Sequence, residues 1–388
     1  MFGSFFKKQN SFDVTGSVLL IDIRNSSVGA AIVTFSKDAA PVITHTFRDH
    51  YYFESSVDSE TFVSRAELSL KKVLDTVFHT KTHTTPVTSV EVFYGAPWYR
   101  ALISNVQIEH TSPTEFTEDY LQTLTEKNNT HITSEETAIE KEIVAIMLNG
   151  YKISDPFYKK ATHFDVSFLI SCIGKDTKTS FETIIKKYAR TQKIHSHSHP
   201  YAIFSVIDKR IHAPKHYTIL DISGEMIELS IVKDDHFRKI ISIPYGSHSF
   251  VRALATSTKT NFQSALLKLR SLLHTTVDEA QKTARTNLLK EIKREWSEVI
   301  QKTLAAAGVE LIPSIIFVSG DEEIKELIVH MLEDVEIYTG AFKINRKPQV
   351  QFIASSLIKK YCTYNKNVPE DHQLATEAVF VELLRVHR

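Results

Sequence analysis

The chain has 388 residues, and Lys+Arg 46 against Asp+Glu 46 leaves no formal net charge with histidine neutral. Hydrophobic residues make up 42% and charged residues 24%, a globular balance that excludes a disordered, collagenous or polybasic nucleic-acid-binding chain. The length exceeds what one core usually serves, so two domains are expected.

Two cysteines, Cys172 and Cys362, lie far apart without metal-ligand spacing and read as buried thiols in a reducing compartment. No apolar run reaches the roughly 18 residues of a membrane span. The opening MFGSFFKKQN lacks the apolar stretch of a secretory signal. A cytoplasmic protein is expected. Phe2, Phe5 and Phe6 with Lys7 and Lys8 make a short apolar–basic tip, read as a frayed terminus.

In chain order, Val18–Asp22 and Val28–Thr34 predict two strands around the polar turn Arg24–Ser27. Polar loops follow, then a helix over Glu60–His79 and a strand at Val87–Tyr94. From Tyr99 to Ala189 the chain changes character. It is rich in Thr and Glu, with a helix at Glu115–Glu126, strands at Ile143–Leu148 and His163–Ile173, and a closing helix at Lys178–Tyr188. This reads as an inserted α+β subdomain. Pro200–Lys209 predicts a helix. Tyr217–Asp221 and Ile227–Val232 then repeat the opening hairpin, continued by Lys239–Pro244. Each unit is an apolar strand ending in Asp, a polar turn and a second apolar strand, which points to a duplicated α/β protein with a cleft between its halves. Helices at Phe262–His274 and Asp278–Ala307, a strand at Ile315–Ser319 running into Gly320, and a helix at Glu322–Glu333 complete the second half.

This order resembles the actin-like ATPase superfamily, and within it the FtsA-like division proteins and the PilM-like pilus proteins. The first phosphate loop of that family corresponds to Asp22-Ile23-Arg24-Asn25-Ser26-Ser27-Val28-Gly29, and the second to Asp221-Ile222-Ser223-Gly224-Glu225-Met226-Ile227-Glu228. The adenine-side motif corresponds to Ser319-Gly320-Asp321. The stretches "SIPYGSHSFVRALA", "LNGYKISDPFYKKATHFDVSFL" and "HPYAIFSVI" match the family's strand after the second loop, its extra subdomain and its linking helix. The resemblance implies a two-lobed fold of duplicated ribonuclease-H-like domains with an inserted α+β subdomain. It implies ATP at Asp22, Arg24, Asn25, Ser26, Ser27, Asp221, Ser223, Gly224, Glu225, Ser319, Gly320 and Asp321, with Mg²⁺ held by Asp22 and Asp221. The first-lobe core is expected over 1–96, with 345–364 returning to it. The subdomain is expected over 97–190, the second lobe over 200–344 with a helical part at 255–310, and a linker and amphipathic helix over 365–388.

The departures are chemical. Phosphate loops use glycine so that backbone N–H groups can approach the anion. Arg24 stands where the first loop wants glycine, and Gly29 where a phosphate-touching lysine belongs. Ser223, Glu225 and Asp321 replace glycines, and two of these would set carboxylates beside a triphosphate. The scarcity of glycine, 11 residues in all, agrees. A degenerate site is expected, with weak ATP binding and little hydrolysis. His195, His197 and His199 alternate and could face one way to hold Zn²⁺, but an exposed surface strand is the favoured reading. Leu374–Arg388 reads as a helix with Val379, Phe380, Leu383 and Val386 opposite Glu377, Glu382 and Arg385. By resemblance it is a candidate peripheral contact with the inner membrane face, although its acidic residues argue as well for docking on protein. The resemblance implies a division scaffold or adaptor, a PilM-like pilus platform binding a peptide of a membrane partner, or, last, a small-molecule kinase. The partners implied are envelope or division proteins at the inserted subdomain and self-association into filaments, with no nucleic acid.

Overall fold

In the computed structural model, residues 16–55, 58–79, 86–274, 279–309, 312–320, 325–333, 348–353 and 355–386 are described. β1 (Gly16–Ile23) and β2 (Ser27–Ser36) form the first hairpin, with Asp22 opposite Gly29. The segment expected as loop after it is a third strand, β3 (Ala39–His50), antiparallel to β2. Polar residues interrupt it, which hid its period. α1 (Ser59–His79) buries Ala66, Leu70, Val73, Leu74 and Val77 on one stripe against this sheet. β4 (Val87–Tyr94) runs parallel to β1.

The inserted subdomain begins with a long strand that no sustained apolar alternation announces, β5 (Tyr99–Glu115). α2 (Glu118–Lys127), capped by the Thr117 hydroxyl, β6 (Glu136–Leu148), the short β7 (Tyr151–Lys152) and β8 (Lys160–Gly174) follow. The four strands form an antiparallel sheet ordered β5-β8-β6-β7. Phe116, Phe164 and Phe168 fill the core beneath α2. α3 (Lys175–Ala189) leads back to β9 (Ile194–Ser198), which adds to β4 in parallel. α4 (His199–Val206) then crosses to the second lobe.

There β10 (Tyr217–Ile222), β11 (Ile227–Lys233) and β12 (His236–Ile243) repeat the first three strands, with Asp221 opposite Glu228. α5 (Ser247–Thr258), α6 (Phe262–His274) and α7 (Glu279–Ala306) pack Phe250, Leu254, Ile292 and the fully buried Trp296 onto this sheet. β13 (Ile315–Gly320), α8 (Lys325–Glu333) and β14 (Gln349–Phe352) close it. Its order, β12-β11-β10-β13-β14, matches that of the first lobe, β3-β2-β1-β4-β9. β14 still belongs to the second lobe. The return to the first is made by α9 (Ser355–Ile358) and β15 (Thr363–Tyr364), which pairs with β3.

The last helix, α10 (His372–Val386), takes the second of the two courses open to it and docks on protein, its own first lobe, instead of turning outward. Leu374, Ala375, Ala378, Val379, Phe380 and Val381 are all buried, packed with α4 and with residues of β1, β2 and β3 in one core. The supposed polar face is inside too. Glu377 reaches His199, Glu382 pairs with Arg210 at 2.7 Å, and Arg385 stacks over the Phe35 ring. Among the described residues no helix is long and apolar enough to cross a membrane.

Candidate functional site

The two hairpin loops face each other across the interlobe cleft, which brings Asp22 and Asp221 together as the repeat predicts. What lies between them is Arg24. Its Nε donates to Asp22 Oδ2 at 3.0 Å, and its Nη1 donates to both oxygens of Asp221 at 3.0 and 3.1 Å. The Arg24 side chain is 2% exposed. Its carbonyl accepts from Trp98 Nε1 and Tyr51 Oη, so the backbone beneath the guanidinium is fixed as well.

A second guanidinium flanks the first. Arg48, projecting from β3, approaches Asp22 Oδ2 at 2.8 Å and Asp371, just ahead of α10, at 2.7 Å. Its Nη1 donates to Ser27 Oγ. Gly29 explains the path: a Cβ built there would lie 2.7 Å from the Arg48 guanidinium carbon. The missing side chain at Gly29 and the Arg48 above it are therefore one feature. Burial alone would raise the Asp22 carboxyl, but Arg24 and Arg48 outweigh it and hold its pKa below the ordinary value. Burial likewise works against the charge on Arg24, and Asp221 and Asp22 reverse that, so it stays protonated. His199 contacts Arg24 through Nε2 and Glu377 through Nδ1. Burial, then Arg24, pushes its pKa down to about 4. Glu377 is raised well above its usual range by burial and by Asp22. Burial thus disfavours charge on His199 and Glu377, while the two guanidiniums favour it on Asp22.

The loops themselves are fastened to each other. Gly224 N donates to Ser26 Oγ at 3.0 Å, and Glu225 N to Asn25 Oδ1 at 2.8 Å. Ser26 Oγ and Ser223 Oγ are 3.2 Å apart, and Asn25 Nδ2 donates to Ala96 O. Contact is close enough that a Cβ on Gly224 would sit 2.4 Å from Ser26 Cβ. The Glu225 carboxylate turns away to Arg252, at 3.0 and 2.8 Å, and to His248 at 3.0 Å. Ser319 and Gly320 end β13 beside Asp221 and Ile222; Asp321 lies outside the described residues. Tyr99, at the root of the inserted subdomain, donates to Glu228 of β11. Burial, then Asp221, raises Glu228 to about 8.

These residues do not fit Mg²⁺ and a nucleoside triphosphate. Both aspartates are engaged by guanidinium where a divalent ion would need them. The amides of Gly224 and Glu225 already donate to first-lobe side chains, and so are not turned to a phosphate. The neighbouring cavity, lined by Arg24, Arg48, Ser223, His248, Asp371 and His372 among others, has a volume of about 200 Å³, below the roughly 300–1,000 Å³ of small-molecule sites.

The three alternating histidines correct another expectation. β9 is not an exposed strand. His195 Nδ1 and His197 Nε2 each lie 2.8 Å from an oxygen of buried Glu91, and His199 is committed to Arg24 and Glu377. They serve three different contacts and do not converge on a Zn²⁺ triad. Sequence reasoning missed Arg48, Tyr99, Glu228, Asp371 and Glu377. The one signal available was that each is a polar residue inside or beside an apolar run.

No protein-family model matches the chain, and no curated protein matches it. Among solved structures it is similar to a chain of a PilM–PilN type IV pilus biogenesis complex, with a TM-score of 0.61 and 12% identity over 97% of this chain and 99% of that one. The MreB 5 of Spiroplasma citri bound to AMPPNP gives a TM-score of 0.48 and 9% identity, covering 96% and 98%. The ethanolamine utilization protein EutJ from Carboxydothermus hydrogenoformans gives 0.41 and 8%, covering 98% and 95%. At such identities the likeness is one of fold. The chain has the two-lobed actin-like ATPase fold.

Proposed function

We propose that this protein is a nucleotide-independent scaffold of the actin-like fold, a PilM-like platform whose inserted subdomain presents a surface to a peptide of a membrane partner. The observation that carries the reading is Arg24, a tethered cation joining Asp22 of one lobe to Asp221 of the other. A cleft closed by its own side chain has no need of ATP to bring the lobes together, and it offers no metal-bound phosphate to hydrolyse. Support for a platform role comes from the fold shared along nearly the whole chain with a protein solved in a PilM–PilN complex. Between the two, an FtsA-like division scaffold was favoured slightly by a helix at the end of the chain able to lie on lipid. With α10 inside the first lobe, that support is withdrawn.

Calorimetric titration with Mg·ATP, paired with thermal unfolding, tests the reading. No binding heat and an unchanged midpoint are expected. Saturable binding with a raised midpoint would overturn nucleotide independence. ATP-dependent pelleting of long polymers would favour a filament-forming scaffold instead.

A further inference from the structure

Where the inserted subdomain meets the first lobe, a chain of polar groups, buried from Glu91 onward, lies between β4, β9 and β6. It runs His195–Glu91–His197–Glu140–Ser198. Glu91 is fully buried, and its two oxygens each accept from a histidine at 2.8 Å. His197 is 1% exposed. With Nε2 donating to Glu91, a neutral His197 turns the lone pair of Nδ1 toward Glu140 Oε1, 3.6 Å away. That oxygen is buried and has no hydrogen-bond partner, while the other oxygen of Glu140 accepts from the Ser198 hydroxyl. Lone pair faces lone pair across the junction. One proton would convert this mismatch into a charge-assisted hydrogen bond.

The surroundings concentrate the effect on that bond. The groups facing the ring are Glu91 from β4 and Glu140 from β6. The uncharged rings of Phe93 and Phe380 stand 5.1 and 5.2 Å from the imidazole and pack against each other. Tyr201 of α4 lies within electrostatic reach of Glu140 and Glu142, and burial holds its pKa well above the usual value, so it stays uncharged. His195, on the outer side of Glu91, completes the set.

We propose that His197 is a proton-operated clasp, which binds the inserted subdomain tightly to the first lobe when doubly protonated and releases it as the pH rises. The sign follows from the geometry. Protonation adds Nδ1–H as a donor to Glu140. Its loss restores the unsatisfied carboxylate, and a buried unpaired charge is the costlier state. Since the inserted subdomain carries the surface proposed for the partner, the clasp would make the orientation of that surface depend on pH.

The test uses the full chain with nitroxide labels at Leu68→Cys on α1 and Tyr151→Cys on β7, both exposed positions. Electron–electron distances are compared at about pH 5.5 and about pH 8, the range in which imidazoles titrate. The undocked population should rise about tenfold toward the alkaline end, as expected for losing one charge-assisted hydrogen bond. Glu140→Gln supplies an amide N–H to the neutral ring, so that variant should stay docked at both values. His197→Gln, which cannot take the proton, should also lose the pH response. A single unchanged distance distribution in the parent protein, or a parental pH response retained in Glu140→Gln, would overturn the proposal. If His197→Gln fails to fold, the Glu140 variant still decides.

Discussion

In the first lobe the buried aspartate, Asp22, sits between two cations of its own lobe, Arg24 and Arg48; in the second lobe Asp221 draws Arg24 from across the cleft. The sheets have the same strand order and the aspartates occupy matching strand ends. Duplication of topology has therefore not preserved duplication of chemistry. The second lobe takes its central cation from the first, while Asp22 has a further cation, Arg48, from its own lobe. The helices add a tie in the other direction. α10 returns from the second lobe to complete the first lobe's core and supplies, from its N-terminal side, the Asp371 that neutralises Arg48.

The most severe way to break this asymmetry is to end the chain after Tyr364. Removing α10 exposes the core around Val379 and Phe380 and leaves Arg48 buried without Asp371. Complete loss of cooperative unfolding is expected for the first lobe, read by circular dichroism and solubility. A truncated protein melting at the midpoint of the full chain would show that α10 is dispensable to it.

Arg24→Ala comes next. It leaves two carboxylates facing each other with only Arg48 nearby, and breaking a buried pair in this way costs about 3–5 kcal/mol. Denaturant unfolding of Arg24→Ala, Asp221→Asn and the double variant measures it. The double variant should be less destabilised than the sum of the singles, because Asp221→Asn removes part of the repulsion that Arg24 leaves behind. Additivity would mean that the lobes do not share this cation.

A pH titration sharpens the contrast from the second-lobe side. Burial and Asp221 raise Glu228 to about 8, from an ordinary 4.5. The folded protein thus holds a proton that the unfolded chain releases above 4.5. Stability should fall as pH climbs through that interval, by a few kcal/mol at most. Glu228→Gln should flatten the slope there. An unchanged slope would place the titrating group elsewhere.

How much of this could be read in the sequence depends on whether the information was local. The strand–Asp–turn–strand units were legible because apolar runs and a terminal aspartate are features of neighbouring residues. They fixed the lobes, the cleft and the facing of Asp22 and Asp221. Arg24 was visible as a substitution for glycine, but its two partners stand two and 197 residues away, and only the fold joins them. The histidines of β9 misled because polarity was taken for exposure; their partner Glu91 lies on another strand, over a hundred residues earlier. α10 misled differently. Glu377, Glu382 and Arg385 suggested an outward face, while the run from Ala378 to Val381 with Leu374, Ala375, Leu383 and Leu384 puts apolar residues on every side, the pattern of an internal helix.

Gly29→Ala is the mildest perturbation and bears most directly on how the first lobe acquired its second cation. The resemblance puts a phosphate-touching lysine where this sequence has Gly29; the structure shows Arg48 lying over the bare backbone. A methyl group there would stand 2.7 Å from the guanidinium, which must shift, although the end of a long side chain can give way more readily than backbone. The expected loss is about 1–3 kcal/mol, the range for overpacking a filled site. In an Arg48→Ala background the same substitution should be nearly neutral, since the space it enters is then open. Equal costs in both backgrounds would mean that Gly29 is required by the β2 backbone itself, and the glycine and arginine would no longer form a matched pair.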